Sequence, residues 1–190
     1  MNKKINKIPI VEKNGEMVEK RKGIDQAHLV FGFHMPKLGD KNRYAAEIFD
    51  SVLGGGMSSR LFQEVREKRG LCYTIKGHLE QSKDYSYEMI YAGTVKEKVK
   101  EIRELILKEI KKLGELKKSD FEEIKERLIG LRGISKEKSD LTMIELLQEE
   151  LGGNAENYYK YEEEISRVRL KDVQNLSKLN GYSFVSLVPE

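Results

Sequence analysis

The stretch Gly54–Tyr73 reads GGGMSSRLFQEVREKRGLCY, a glycine-led helix that runs straight into a strand. Gly54-Gly55-Gly56 supplies the backbone angles that a tight connection between two helices needs. The triplet lacks the lysine and the spacing of a phosphate-binding loop. A helix is expected over Ser59–Arg69, with Leu61, Phe62 and Val65 as its buried stripe. Gly70 ends that helix, and a strand follows at once, so Arg66 and Tyr73 flank one tight helix-to-strand turn. Arg66 lies four residues after Phe62, at the border of the stripe. From there it can offer its planar fork to a carbonyl or carboxylate, or pair with Glu64 or Glu67. Tyr73 shares its strand phase with Leu71 and Ile75, which favours a packed ring. Its place at the start of the strand would still let the hydroxyl emerge at the sheet end.

Upstream, a short strand over Glu16–Lys20 leads through Gly23 to a second over Gln26–Met35. Ala27, Leu29, Phe31, Phe33 and Met35 share one face of this second strand. Gln26, His28, Val30, Gly32 and His34 share the other, so the sheet has one packed and one more polar face. Asp40 is placed to cap a helix from about Asn42 to Leu53, with Ala45, Ile48, Phe49 and Val52 on its apolar side. Downstream, Leu71–Glu80 and Asp84–Gly93 read as an antiparallel hairpin, with Tyr85, Tyr87, Met89 and Tyr91 on one face. Thr94–Glu97 and Ser119–Glu122 have the form of capping boxes, each opening a helix. Gly130 and Gly133 would each cost the second of these about 1 kcal/mol, marking a bend or a close helix–sheet contact. Further helices are expected over Leu141–Leu151, after Asn154 and from Asp172, and a last strand over Tyr182–Val188. Strands, then helices, strands, helices and a strand make an α+β fold: an antiparallel or mixed sheet with helices packed on one face.

With 190 residues the chain can bury a substantial core. Its 35 basic and 32 acidic residues nearly cancel, which gives no electrostatic footprint for nucleic acid or an anionic membrane. No segment approaches the roughly 20 apolar residues of a membrane span, and the N-terminus lacks the apolar run of a signal peptide. A cytoplasmic protein, or a piece of a longer one, is expected. The single cysteine, Cys72, excludes a disulfide framework and a cysteine-based zinc site; it reads as a reduced, packed residue. Neither H-E-x-x-H nor H-x-x-E-H occurs, and His28, His34 and His78 all fall in predicted strands. No nucleophile elbow or dinucleotide fingerprint is present either. By its own residues this chain is not a self-sufficient hydrolase.

Gly54–Tyr73 resembles the signature of the C-terminal half-domain of the insulinase-like (pitrilysin, mitochondrial processing peptidase) zinc metallopeptidases. There an arginine and a tyrosine seven residues apart grip the substrate backbone. Arg66 and Tyr73 have that separation, and Phe62 matches an aromatic position of the family. HLVFGFHMP resembles the opening strand of the half-domain, SDFEEIKERLIG its long helix, and ISRVRLKDVQNL its late turn and short helix. The likeness runs from Gly23 to the C-terminus, leaving residues 1–22 as a polar leader and first short strand ahead of a 23–190 domain.

The resemblance implies the metalloprotease half-domain fold, shared by LuxS-like and processing-peptidase-like proteins. It also implies one shell of a clam-shell endopeptidase acting on peptides or unfolded segments. Arg66, Tyr73 and Phe62 would be its substrate-binding residues, with no catalytic residue and no metal in this chain. Zinc and the general base would come from an H-x-x-E-H-bearing half, in a partner chain or a missing segment, within a homo- or heterodimer. The more polar sheet face, with His28, His34, Lys76 and His78, would border the enclosed chamber. The alternative is a non-catalytic scaffold subunit of the same fold.

Overall fold

A computed structural model describes residue 11 and residues 13–190. Most of the leader expected over residues 1–15 lies outside the described residues. The strands are β1 (Gly15–Arg21), β2 (Ala27–His34), β3 (Cys72–Gln81), β4 (Ser86–Thr94) and β5 (Ser183–Pro189). They form one sheet in the order β1-β5-β2-β4-β3. β1 and β5 run parallel, and every other neighbouring pair is antiparallel. The last strand of the chain thus inserts between the first two, and β3 forms one edge of the sheet. The hairpin expected from Leu71 to Gly93 is the β3–β4 pair.

The helices are α1 (Arg43–Leu53), α2 (Val99–Leu113), α3 (Lys118–Ser135), α4 (Ser139–Gly152), α5 (Tyr161–Arg167) and α6 (Leu170–Leu176). A six-residue π-helical segment spans Phe62–Glu67. The alternation read along β2 is realised: Ala27, Leu29, Phe31, Phe33 and Met35 are all buried. On the helix layer they meet Ile48, Phe49 and Leu53 of α1 and Ile102, Ile106 and Ile110 of α2. Each large apolar side chain buried there contributes roughly 1.5–3 kcal/mol. Tyr85 and Tyr87 stack on each other at the sheet's outer face, partly exposed. Among the described residues no helix is long and apolar enough to cross a membrane.

Three expected caps are absent, each because its side chain is engaged elsewhere. Asp40 accepts a hydrogen bond from the Lys37 backbone, and α1 has no side-chain cap. Thr94 donates its hydroxyl to the Leu71 carbonyl at 2.5 Å, tying the start of β3 to the end of β4. Ser119 bonds its neighbour Asp120 inside α3, which starts one residue earlier. Gly130 and Gly133 make no close contact: a methyl on either would meet open space, and α3 runs through both. Asn154 does cap, accepting from the Glu156 backbone at 2.9 Å.

Candidate functional site

Two one-residue irregularities in succession build the turn that carries Arg66 and Tyr73. The first is the π-helical segment, where the Lys68 amide donates to the Gln63 carbonyl five residues back at 3.0 Å. This wider turn replaces the α-helix expected over Ser59–Arg69. Val65, with no exposed surface, anchors it to the core. Gly70 then adopts φ +60°, which glycine alone takes without a side-chain penalty. Its amide donates to the Arg66 carbonyl at 2.9 Å, and Leu71 donates to Val65 at 3.0 Å. The second irregularity is a β-bulge. Cys72 pairs with Thr94 and Thr74 with Gly93, so Tyr73 has no partner on β4.

That bulge reverses the packing expected from strand phase. Leu71 and Ile75 are buried as read, but Tyr73 is 79% exposed. The extra residue shifts the alternation by one, so that Cys72 opposite Thr94 and Ile75 opposite Ala92 both face the core and Tyr73 between them faces out. Cys72 takes the buried place, and burial pushes its thiol up to about 11. It is a packed residue, as expected.

The Arg66 guanidinium carbon lies 4.8 Å from the centre of the Phe62 ring and 5.9 Å from that of Tyr73. It therefore sits against two aromatic faces, an arrangement that orients the fork without consuming its donors. Its ionic partner among the described residues is Glu67, at a loose 3.7 Å through Nε, and both side chains are well exposed. Glu64, the other expected partner, is taken by Lys68 at 2.5 Å and Arg69 at 2.7 Å. Those two cations hold its carboxyl down at about 2. The structure thus brings Phe62, Arg66 and Tyr73 into one cluster and leaves the last two open to solvent.

The glycine triplet has a second task beyond the connection. A methyl on Gly54 would lie 2.5 Å from the Gly77 backbone, and the Gly77 amide donates to the Gly54 carbonyl at 3.0 Å. The end of α1 is therefore pressed directly onto the edge strand β3, which carries Tyr73 near its start.

The histidines do not assemble a zinc site. His28 lies opposite Gly93 and bonds the Tyr91 hydroxyl at 2.8 Å, whereas His34 lies opposite Tyr87 at the other end of β2. His78 is on β3 beside Glu80. Among the described residues no three His, Cys, Asp or Glu side chains are placed to hold a metal ion.

Sequence reasoning missed a polar cavity of about 550 Å³ between α1, β3, α3 and α4. Glu47, Asp50, His78, Arg127, Arg132 and Glu145 are among its lining residues. Arg43 grips Glu149 with two bonds of 2.8 and 3.0 Å, and Arg132 meets Glu145 at 2.5 Å. Tyr161 donates its hydroxyl to Glu47 at 2.9 Å. Burial nevertheless pushes the Glu47 carboxyl up to about 7. Glu88 of β4, wholly buried, faces Asp50; burial and the neighbouring acid raise Glu88 well above the carboxylate range. Asp50 is raised with it, by burial. One signal was available in the sequence: Glu88 shares the strand phase of Ile90 and Ala92, an acid on the buried side.

The family model for the peptidase M16 inactive domain matches residues 2–128. An uncharacterized zinc protease of Bacillus subtilis, YmxG, is 32% identical over 167 residues, which are 86% of this chain and 41% of that protein. The chain thus spans less than half the length of this relative. A peptidase M16 inactive domain from Pseudomonas fluorescens superposes with a TM-score of 0.81 at 21% identity, covering 97% of this chain and 46% of that one. A chain of Complex III2 from Candida albicans superposes at 0.79 with 15% identity, covering 93% and 46%. These likenesses at low identity show a shared fold, and the family match with the Bacillus relative goes further. The chain belongs to the M16 family of zinc proteases, in the part that its family model describes as the peptidase M16 inactive domain.

Proposed function

We propose that this domain is the substrate-gripping half of a zinc-dependent endopeptidase, acting on peptides or unfolded segments and inactive by itself. The observation that carries this reading is the exposed pairing of Arg66 with Tyr73. A core tyrosine would have stayed on the phase of Leu71 and Ile75. Here a bulge turns it out, next to an arginine whose fork is oriented by Phe62 and only loosely held by Glu67. Such a pair can donate hydrogen bonds to a peptide carbonyl, positioning it and stabilising charge that develops on its oxygen. In this reading an H-x-x-E-H-bearing half, in a partner chain or the same longer protein, binds zinc, which supplies the activated water. Peptide, partner half and a homo- or heterodimeric assembly are parts of the same proposal.

The test is to mix the domain with an H-x-x-E-H-bearing half and follow cleavage of an internally quenched peptide. Neither half alone should cleave. Arg66→Ala is expected to lower the restored rate by about 10-fold or more, as loss of one preorganised donor does. Tyr73→Phe isolates the hydroxyl and should lower the rate with unchanged folding. Full activity in Arg66→Ala would sink the assigned role, and a mixture that neither associates nor cleaves would favour the scaffold reading.

A further inference from the structure

Most buried side-chain polar atoms without a hydrogen-bond partner gather in one place, Arg103 Nε and Ser86 Oγ apart. Among the described residues they include Asp50 Oδ1, both carboxylate oxygens of Glu88, Glu145 Oε2 and the Nε atoms of Arg127 and Arg132. All but Glu88 belong to residues lining the cavity between α1, β3, α3 and α4. Glu88, from β4, lies behind that lining against Asp50. A methyl on Gly77 would meet Glu88 Oε1 at 2.7 Å and Asp50 Oδ1 at 3.1 Å, so both carboxyls converge over the bare side of Gly77. Glu88 has no exposed surface there.

The cations nearby are already committed. Arg43 is held by Glu149 and Arg132 by Glu145, while Arg127 turns its terminal nitrogens to Ser51 and Ser58. His78 approaches Asp50 from β3, but its ring meets Glu80 at 3.4 Å. What remains is an acid surplus. Glu47 has a tyrosine hydroxyl for a partner, and Asp50 and Glu88 have each other. Two carboxyls so close and so buried can share one proton, leaving one negative charge between them.

We propose that this cavity is a binding site for an organic cation, an alkylammonium or alkylguanidinium head, seated against Asp50 and Glu47 with Glu88 behind. Glu47 and Asp50 are three apart on α1 and so share a face toward the incoming charge. An ammonium or guanidinium supplies several donors to three carboxyls that have only one tyrosine hydroxyl and one shared proton among them, and charge-assisted bonds in a partly enclosed site are strong. As the cation enters, the proton shared by Asp50 and Glu88 passes to solvent, so one positive charge replaces another. The Nε groups of Arg127 and Arg132 remain for an acceptor elsewhere on the same ligand. This inference is independent of the peptidase reading, since the cation binds or fails to bind whether or not Arg66 and Tyr73 hold a peptide.

The experiment is calorimetric titration with n-butylammonium and n-butylguanidinium, in two buffers of different ionisation enthalpy. The expected result is saturable binding with a Kd on the order of 1 mM and release approaching one proton. Binding should tighten as pH rises and the competing proton leaves more readily, and n-butanol should give no heat. Asp50→Asn should weaken binding at least about 10-fold, as loss of a charged partner does. Glu47→Gln should weaken it less, and it serves as the test should the first variant fail to fold. A doubly capped lysine peptide that competes would assign the cation to a polypeptide side chain. A peptide that fails to compete, with butylammonium still binding, would assign it to a free amine. No saturable heat up to about 50 mM, binding without proton release, or Asp50→Asn binding as wild type would overturn the proposal.

Discussion

The Arg66–Tyr73 turn and the Asp50–Glu88 floor lie at opposite extremes of the same domain. At the turn, an aromatic ring expected in the core is displayed to solvent; at the floor, an acid, a residue type ordinarily found at surfaces, is sealed inside. The causes differ in kind. Tyr73 is turned out by two local insertions, a π turn and a bulge, that change where one side chain points and little else. Glu88 keeps a regular strand register, and the packing of α1 over Gly77 encloses it. The turn should therefore be tolerant in stability and sensitive in function, and the floor the reverse.

The two regions meet at the Gly54–Gly77 contact, where a substitution should have its largest effect. A methyl at Gly54 would lie 2.5 Å from backbone, which cannot swing away as a side-chain end can. Gly54→Ala is expected to destabilise the domain by about 2–3 kcal/mol through forced backbone movement. Chemical denaturation measures it; a change below about 0.5 kcal/mol would mean the two segments separate freely.

The floor should next reveal itself in the pH dependence of stability. Glu47 is raised from 4.5 to about 7, so the folded domain holds a proton that the unfolded chain has lost across that window. Its contribution is fully present below pH 4.5 and is lost as pH rises through about 7. Asp50 and Glu88, also raised by burial, act in the same direction. Stability is expected to fall by on the order of 2 kcal/mol between acid and neutral pH. Glu47→Gln should remove part of that slope, and a flat profile in the wild-type domain would contradict the enclosure of these acids.

The turn should give the smallest change. Arg66→Ala and Tyr73→Ala remove exposed groups held by ring contacts and one loose ion pair, so each should shift stability by no more than about 0.5 kcal/mol. Thermal melts of the two variants, set beside the restored peptide cleavage, sharpen the contrast between display and burial. A loss of several kcal/mol at Arg66 would make it a structural arginine.

Much of the fold was legible because burial repeats with the period of the backbone. Alternation from Ala27 to Met35 marks β2, and Ile102, Ile106 and Ile110 mark the inward face of α2. The caps were less legible because a hydroxyl can bond any acceptor nearby. Thr94 has the form of a helix cap but bonds Leu71, which only the β3–β4 pairing brings beside it. At the candidate site the tight turn that sets Arg66 beside Tyr73 was legible, and the exposure of Tyr73 was not. A bulge is a property of two strands in register, and only the β4 partners Thr94 and Gly93 reveal the extra residue. The cavity was illegible for the same reason: Asp50, Glu88 and Arg127 come from three separate elements.

By itself the sequence determined the strands and helices, the α+β class, the absence of H-x-x-E-H and the seven-residue separation of Arg66 and Tyr73. These rest on periodicity and on residues near in the chain. The tertiary structure decided which side Tyr73 faces, how β5 inserts between β1 and β2, and that α1 closes over Glu88. These depend on registers and contacts between distant segments, where desolvation and like charge act on groups that the chain order keeps apart.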